Sequence, residues 1–523
     1  MRGEATDRAG AGRSVAEAAL VLCLLIPITW GASVHAPWDV DNLAPGPVLR
    51  ALAQHFAPGW YSSYGPLPYL VLGAVSLPVL AFLKLIGELG TPAATYPWGF
   101  RHPEQAILAL TVAARLVSVG FAWGIVRMAG RRERAQASAA PAWAAALLLM
   151  GSPAFAYYAR TSNVDLHYLF WLWAAFHLIE SPLASRRRLA AGAACAALAV
   201  CSKEQSAPFA LVACVAAALR AAQVGRRGES GLRSALLTLA IPILTYAIVW
   251  QLPFNWSGWQ AHHRFLFEQA RYPRTYPLTP AGLAGLAAHM VRQTPVTFGP
   301  LLIAACVLAV PMRTSLRGLG LRALACGLYL ATFVISIGYV YPRFLLPLLL
   351  LLVPLGARAV RDLALMMRGV RQFGPALAAA AATLALAGAP ALSLAMLGDP
   401  RLAVERWLKR EVAPDATIEM AGSPAYQPRI PLERPVLRTR SDSLLVAPRG
   451  PRGDVVLLSA IDLYTFQRDP RVRAVWWDSL AALGAAGRYR EVVFHPPAAA
   501  RFSAGLPVSP TMMAWVRLPV RSP

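Results

Sequence analysis

Apolar residues in this chain fall in long runs separated by short, arginine-rich gaps. A helix needs roughly 17–25 apolar residues to cross a bilayer. The runs therefore predict spans near 15–35, 107–129, 139–159, 167–181, 187–201, 207–223, 234–252, 298–312, 320–340, 343–357 and 374–396. That makes about eleven helices in an all-α polytopic membrane protein. The gaps hold Arg131-Arg132-Glu133-Arg134, Arg186-Arg187-Arg188, Arg226-Arg227, Arg313 with Arg317 and Arg322, and Arg358 through Arg371. Basic loops stay on the cytoplasmic side, so the N-terminus is expected inside and the chain beyond about 398 outside.

Leu67–Ile86 breaks this count, because crossing there would put Arg131 and Arg132 outside. It carries Pro68, Pro78 and Lys84, with Pro66 just before it, and proline in a helix interior costs a hydrogen bond. It is read as a juxtamembrane or re-entrant helix within a long outer loop, 36–106; the alternative is that it crosses and a weaker segment does not. Residues 1–397 then form the multi-span domain, and 398–523 a small extramembrane α/β domain. In the tail, Arg401–Glu411 and Pro470–Gly487 read as helices, and 417–420, 454–458 and 491–494 as short strands.

Composition sharpens the class. The chain has 523 residues, of which 57% are hydrophobic and only 15% charged, against about 25% charged in a soluble protein. The net charge of +24 would suggest nucleic acid, but the cations sit in the loops of the positive-inside pattern, and no nucleic-acid partner is expected. All six cysteines lie in or beside apolar runs without metal-ligand spacing, as packing residues do.

The polar residues left over gather on the non-cytoplasmic side. Trp38-Asp39-Val40-Asp41-Asn42 follows the first span, and Arg115, Asp165, Lys203, Glu204 and Arg343 lie at similar depth. Ionisable groups at such depth need a partner or a function. Asp39 or Asp41 can act as general base on an acceptor hydroxyl. An activated group on that side has to arrive on a lipid carrier, and Arg115, Lys203 and Arg343 can hold its phosphate and stabilise the leaving charge. Each has a plainer reading as well. The aspartates can cap a helix beginning near Ala44, Asp165 can pair with Arg160 or Arg115, and Lys203 can snorkel. His262-His263 reads as surface histidine, and Asn255-Trp256-Ser257 matches a glycosylation sequon.

The order of these elements resembles the GT-C glycosyltransferases, in particular the glycosyltransferase 39 group with its protein O-mannosyltransferases and lipid A aminoarabinose transferases. Asp41-Asn42 resembles the family's Asp-Glu pair after the first span. Tyr64-Gly65-Pro66-Leu67-Pro68-Tyr69 resembles its aromatic-proline stretch, and Ala114-Arg115-Leu116 its Ala-Arg-Leu. Pro153, Tyr158-Ala159-Arg160 and Asp165 follow its Pro, Tyr-Ala-Arg, Asp order. Ser202-Lys203 and Tyr341–Pro347 match its later lysine and its Arg-Tyr-Leu-Leu-Pro segment.

The resemblance implies a polyprenyl-phosphate sugar donor, inversion at the anomeric carbon, and a lipid, glycan or protein acceptor. Asp41 would be the base, with Asp39 beside it. Asp165, Arg115, Lys203, Arg343 and Tyr64 would bind substrate. Asn42 departs from the family's Glu: it accepts a hydrogen bond but carries no charge, so that role is lost or falls to Asp39. No cofactor is assigned, and a divalent metal ion is left open. The Ala-, Arg- and Pro-rich composition points to a bacterial inner membrane, with membrane lipids around the spans and the site and tail on the periplasmic side; an endoplasmic-reticulum lumen is the alternative. The alternative function is a transporter or flippase of lipid-linked saccharide.

Overall fold

In the computed structural model, the described residues are 17–32, 38, 42–93, 95–136, 143–183, 185–225, 231–270, 274–316, 318–367, 374–421, 426–430, 434–439, 452–460, 482, 484–503 and 506–518. The chain divides into two compact units. One comprises Met1–Ile28 with Asp41–Pro390, the other Thr29–Val40 with Ala391–Pro523. The protein is a mostly helical multi-pass membrane protein with a small C-terminal sheet. Among the described residues, eight helical stretches are long and apolar enough to cross a membrane: Pro66–Leu85, Pro103–Gly130, Glu204–Val224, Gly231–Val249, Pro280–Ala309, Gly320–Ile337, Pro342–Met366 and Ala379–Glu411.

The first unit opens with α1 (17–25), then α2 (Gly46–Ala53), α3 (Pro66–Leu85) and α4 (Pro103–Gln136). The prolines of α3 do not interrupt it. Pro66 and Pro68 lie in its first turn, where the missing N–H has no helical partner to lose, and only Pro78 is interior. Tyr69 and Leu72 of α3 pack with Ala114, and Leu83 packs with Ala106 and Leu110. The helix thus runs antiparallel to the first part of α4.

The expected span 139–159 is instead two short helices, α5 (Ala144–Met150) and α6 (Pro153–Tyr158). Ser152 breaks them and caps the second, accepting from Phe155 N. α7 (Asp165–Ile179) and α8 (Arg186–Ser202) lie where spans were expected and have 15 and 17 residues, α7 below and α8 at the lower edge of the roughly 17–25 that cross a bilayer. They are followed by α9 (Ala207–Gly225), α10 (Gly231–Val249), α11 (Trp256–Ala270) and α12 (Pro280–Ala309). α12 kinks at Gly299, where φ is 75°. A Cβ there would stand 1.7 Å from the Gly151 carbonyl oxygen, so only glycine fits. α13 (Gly320–Tyr329), α14 (Ile335–Ile337), α15 (Pro342–Leu345), α16 (Leu349–Met366) and α17 (Gly374–Leu386) complete the unit, with α18 (Ala389–Leu397) at the boundary.

The second unit holds α19 (Pro400–Glu411) and five strands: β1 (Ile418–Ala421), β2 (Val436–Thr439), β3 (Val455–Ser459), β4 (Tyr489–Phe494) and β5 (Met512–Arg517). Their order is β2-β1-β3-β5-β4, parallel at β2-β1 and β1-β3 and antiparallel at β3-β5 and β5-β4. β1, β3 and β4 match the three expected strands; β2 and β5 were not anticipated. The apolar face of α19 (Val404, Trp407, Leu408) packs on Ile418, Leu457 and Met512. The expected helix Pro470–Gly487 falls mostly outside the described residues.

Candidate functional site

The start of α7 and the end of α8, which pack side by side, lie together at the centre of the polar cluster. Asp165 is the first residue of α7, its N–H donating to Asn163 Oδ1 at 3.1 Å. Lys203 follows α8 in an extended conformation (φ −159°, ψ 121°), which breaks the helix before the 3-10 turn Glu204–Ser206. The break lets Lys203 Nζ donate to Asp165 Oδ1 at 2.8 Å, with the side chains 9% and 0% exposed. Asp165 pairs with Lys203, then, rather than with Arg160 or Arg115 as weighed from sequence. Lys203 does not snorkel to a surface. Its ammonium lies 5.5 Å from the Tyr64 ring centroid and 5.6 Å from that of Tyr168, within cation–π range. Burial pushes the Asp165 carboxyl up and Lys203 opposes that shift. Asp165 Oδ2 is buried with no hydrogen-bond partner among the described residues.

The next residue starts a second pair. Glu204 Oε1 lies 2.8 Å from His262 Nε2, and the Ser62 carbonyl lies 2.7 Å from His262 Nδ1. The Ser62 carbonyl can only accept, so Nδ1 donates to it, and a protonated imidazole would donate from Nε2 to the Glu204 carboxylate as well. Burial alone would lower the His262 pKa; the Glu204 hydrogen bond and charge, with the Ser62 carbonyl, reverse this, and the net shift is upward. The reading of His262 as a surface residue is therefore corrected: its side chain is 0% exposed and packs on Trp250. No local signal in the sequence shows this, because the partner is 58 residues away.

The segment 59–65 closes over these pairs. Asn255 Nδ2 donates to the Trp60 carbonyl at 3.0 Å, and Gly59 N donates to Asn255 Oδ1 at 2.7 Å. The sequon asparagine is thus buried and spent on structure. A Cβ at Gly65 would stand 2.0 Å from the Cys201 carbonyl oxygen, so a glycine seats Tyr64 against the end of α8. Burial, then Asp165, Tyr69 and Glu204, push the Tyr64 hydroxyl well above its ordinary pKa. Tyr64 also lines a cavity of about 390 Å³ shared with Asn42, Trp60 and Tyr69. Asn42 forms an antiparallel bridge with Asn163, and Leu43 N donates to the Ser162 carbonyl at 3.0 Å. The residue after Asp41 is therefore fastened two positions before Asp165.

The expected site residues divide accordingly. Tyr64, Asp165 and Lys203 come together. Arg115 is fully buried in α4 and donates to the Ile28 carbonyl at 2.7 Å. The Arg343 guanidinium lies over the Tyr341 and Phe344 rings at 5.7 and 5.4 Å. Asp39 and Asp41 lie outside the described residues. The helix expected near Ala44 begins at Gly46, and its N-cap, Pro45, receives no side-chain cap. Among the described residues no group of three His, Cys, Asp or Glu is placed to hold a metal ion. Asp165 and Glu204 are each committed to a cation of the chain itself.

No protein-family model matches the chain, and no curated protein matches it. It is similar to two crystal structures of ArnT from Cupriavidus metallidurans. The apo state gives a TM-score of 0.43 at 16% identity, covering 97% of this chain and 98% of that one. The form bound to undecaprenyl phosphate gives 0.46 at 15% identity, covering 98% and 99%.

Proposed function

We propose that this chain is a membrane glycosyltransferase that moves a sugar from a polyprenyl-phosphate donor to an acceptor hydroxyl on the periplasmic face of the inner membrane. The observation that carries the reading is the Asp165–Lys203 pair. It is buried and ringed by tyrosines, and one carboxylate oxygen lacks a hydrogen-bond partner among the described residues. A buried ion pair with spare bonding capacity is costly as pure structure and suited to an ionic ligand.

In this reading Lys203 shares its remaining N–H groups with the donor phosphate, and Arg343 approaches from the Tyr341–Phe344 turn. Their charge stabilises the phosphate as the C1–O bond breaks. The acceptor hydroxyl attacks C1 from the opposite face, its proton passes to the Asp41 carboxylate, and the electron pair departs with polyprenyl phosphate. One displacement inverts the anomeric carbon. Asp165 holds Lys203 in place, and Glu204 with protonated His262 fixes the Ser62–Tyr64 segment above it. Asp39 is the alternative base.

The test is sugar transfer by the purified, detergent-solubilised chain from a panel of radiolabelled polyprenyl-phosphate sugars, with membrane lipids among the acceptors. Turnover that survives Asp39→Asn and falls at least about a hundredfold in Asp41→Asn is expected, the lower end for loss of a general base. The opposite pattern moves the base to Asp39. A wild-type protein that transports a lipid-linked sugar without consuming it would overturn the proposal.

A further inference from the structure

One imidazole joins three separate elements beside Lys203. His262 lies in α11, Glu204 in the 3-10 turn after α8, and Ser62 in the segment 59–65. Ser62 is held at one end and holds at the other. Its carbonyl lies 2.7 Å from His262 Nδ1, and its hydroxyl donates to the Tyr64 carbonyl at 2.6 Å. The Tyr64 ring stands 5.5 Å from the Lys203 ammonium, and Lys203 directly precedes Glu204 in the chain. Tyr64 and Lys203 are therefore both tied, through one intervening residue or none, to groups that His262 contacts.

A histidine serves two acceptors only while it carries both N–H groups. The neutral ring has one N–H and turns a lone pair towards the other neighbour. One proton thus bridges Glu204 and His262, and its loss leaves either the carboxylate or the Ser62 carbonyl unheld. The ring is fully buried, so water does not readily replace the lost bond. Besides Glu204 and Ser62, the ring meets Trp250 of α10 at 4.8 Å and His263 of its own helix at 5.4 Å. Tyr246 of α10 and Cys201 of α8 pack around Trp250 behind it, and the nearby Lys203 cation is taken by Asp165. Burial disfavours the imidazolium, but the Glu204 bond and charge, with the Ser62 carbonyl, outweigh it and raise the pKa.

We propose that His262 is a positioning residue for sugar transfer. While its proton bridges Glu204, the Ser62–Tyr64 segment is latched beside Lys203 and the donor binds; loss of that proton as pH rises loosens the segment and weakens donor binding. The identity of the ligand rests on the transferase reading, whereas the latch rests on the three elements and their spacing.

Binding of polyprenyl-phosphate glucose to the detergent-solubilised full chain, measured from about pH 6 to about pH 9, brackets the raised histidine value. The ligand's phosphodiester keeps one charge over that range and adds no slope of its own. Wild type is expected to bind about tenfold more weakly at the upper end, the low end for one hydrogen bond to a charged group. His262→Gln should bind at that weak level throughout. Glu204→Gln should move the fall to lower pH, because burial then acts on the ring without a carboxylate to oppose it. A flat wild-type affinity, or a fall that survives His262→Gln, would overturn the proposal. Hydrogen exchange of residues 59–65 reads the latch without donor: wild type should be about tenfold better protected than His262→Gln near pH 6 and equally protected near pH 9. Equal protection at both ends would also overturn it. A chain that shows the pH-dependent protection but neither binds nor transfers donor contradicts the transferase reading alone. A chain that transfers sugar without that protection contradicts the latch alone.

Discussion

The two ends of α7 are each closed by a buried ion pair, and the pairs are built differently. Just past its C-terminus, Glu180 accepts from Arg322 Nε and Nη2, both at 2.9 Å. Arg322 Nη1 donates to the Leu350 carbonyl at 2.7 Å, and the guanidinium stacks 5.2 Å from the Trp173 ring. Arg220 ties the same end to the Ile179 and Ser181 carbonyls. At the N-terminus, Asp165 receives one bond from the flexible Lys203 ammonium, at 2.8 Å. A planar fork with several protein acceptors locks helices together. A flexible ammonium held by one carboxylate oxygen keeps donors for something else. We read this difference as separating a structural clasp from the binding centre proposed above.

Breaking the clasp should have the largest effect on folding. Arg322→Ala leaves Glu180 buried beside a lost partner, which costs about 3–5 kcal/mol. The loss is measured as reduced thermal stability in detergent, with turnover per folded molecule unchanged. Gly65→Ala pushes a methyl against the Cys201 carbonyl oxygen and should cost about 1–3 kcal/mol by overpacking. Unlike Arg322→Ala, it should also impair donor binding by displacing Tyr64.

Lys203→Met sharpens the comparison. Burial already raises the Asp165 pKa, so the orphaned carboxyl takes up a proton and stability falls less than in Arg322→Ala. Binding of polyprenyl phosphate should weaken about tenfold with the loss of one charged contact. The smallest effect is that of pH on the Glu204–His262 pair. The folded-state pKa of His262 is raised, so the pair's stabilisation is complete below the unfolded value of about 6.5 and is lost as pH rises through the folded value. Thermal stability should fall over that window, and His262→Gln should remove this part of the slope.

Much of the helical architecture was legible because apolar runs of span length have few other uses. The α5–α6 break was not, since it depends on Ser152 capping a proline-started turn within an unbroken apolar run. Nor was the kink at Gly299, which is set by contact with Gly151. β2 and β5 escaped because short strands take their identity from neighbours, and β5 from burial between β3 and β4. In the site, Asp165 and Lys203 could be singled out because ionisable groups are costly near a membrane surface, and Tyr64 through the family's aromatic-proline stretch. Their pairing could not, because Asp165 and Lys203 are 38 residues apart. His262 was missed for a related reason, because its partner Glu204 lies 58 residues away.

The most direct measurement compares sugar transfer from a radiolabelled polyprenyl-phosphate donor in two charge-neutral double variants, Asp165→Asn/Lys203→Met and Glu180→Gln/Arg322→Met. Removing both partners avoids a stranded buried charge in either case, so both proteins should fold, as circular dichroism and size-exclusion profiles would verify. Transfer should be abolished in the first and retained in the second. Full transfer by a folded Asp165→Asn/Lys203→Met protein would contradict the assignment of this end of α7 as the reaction centre.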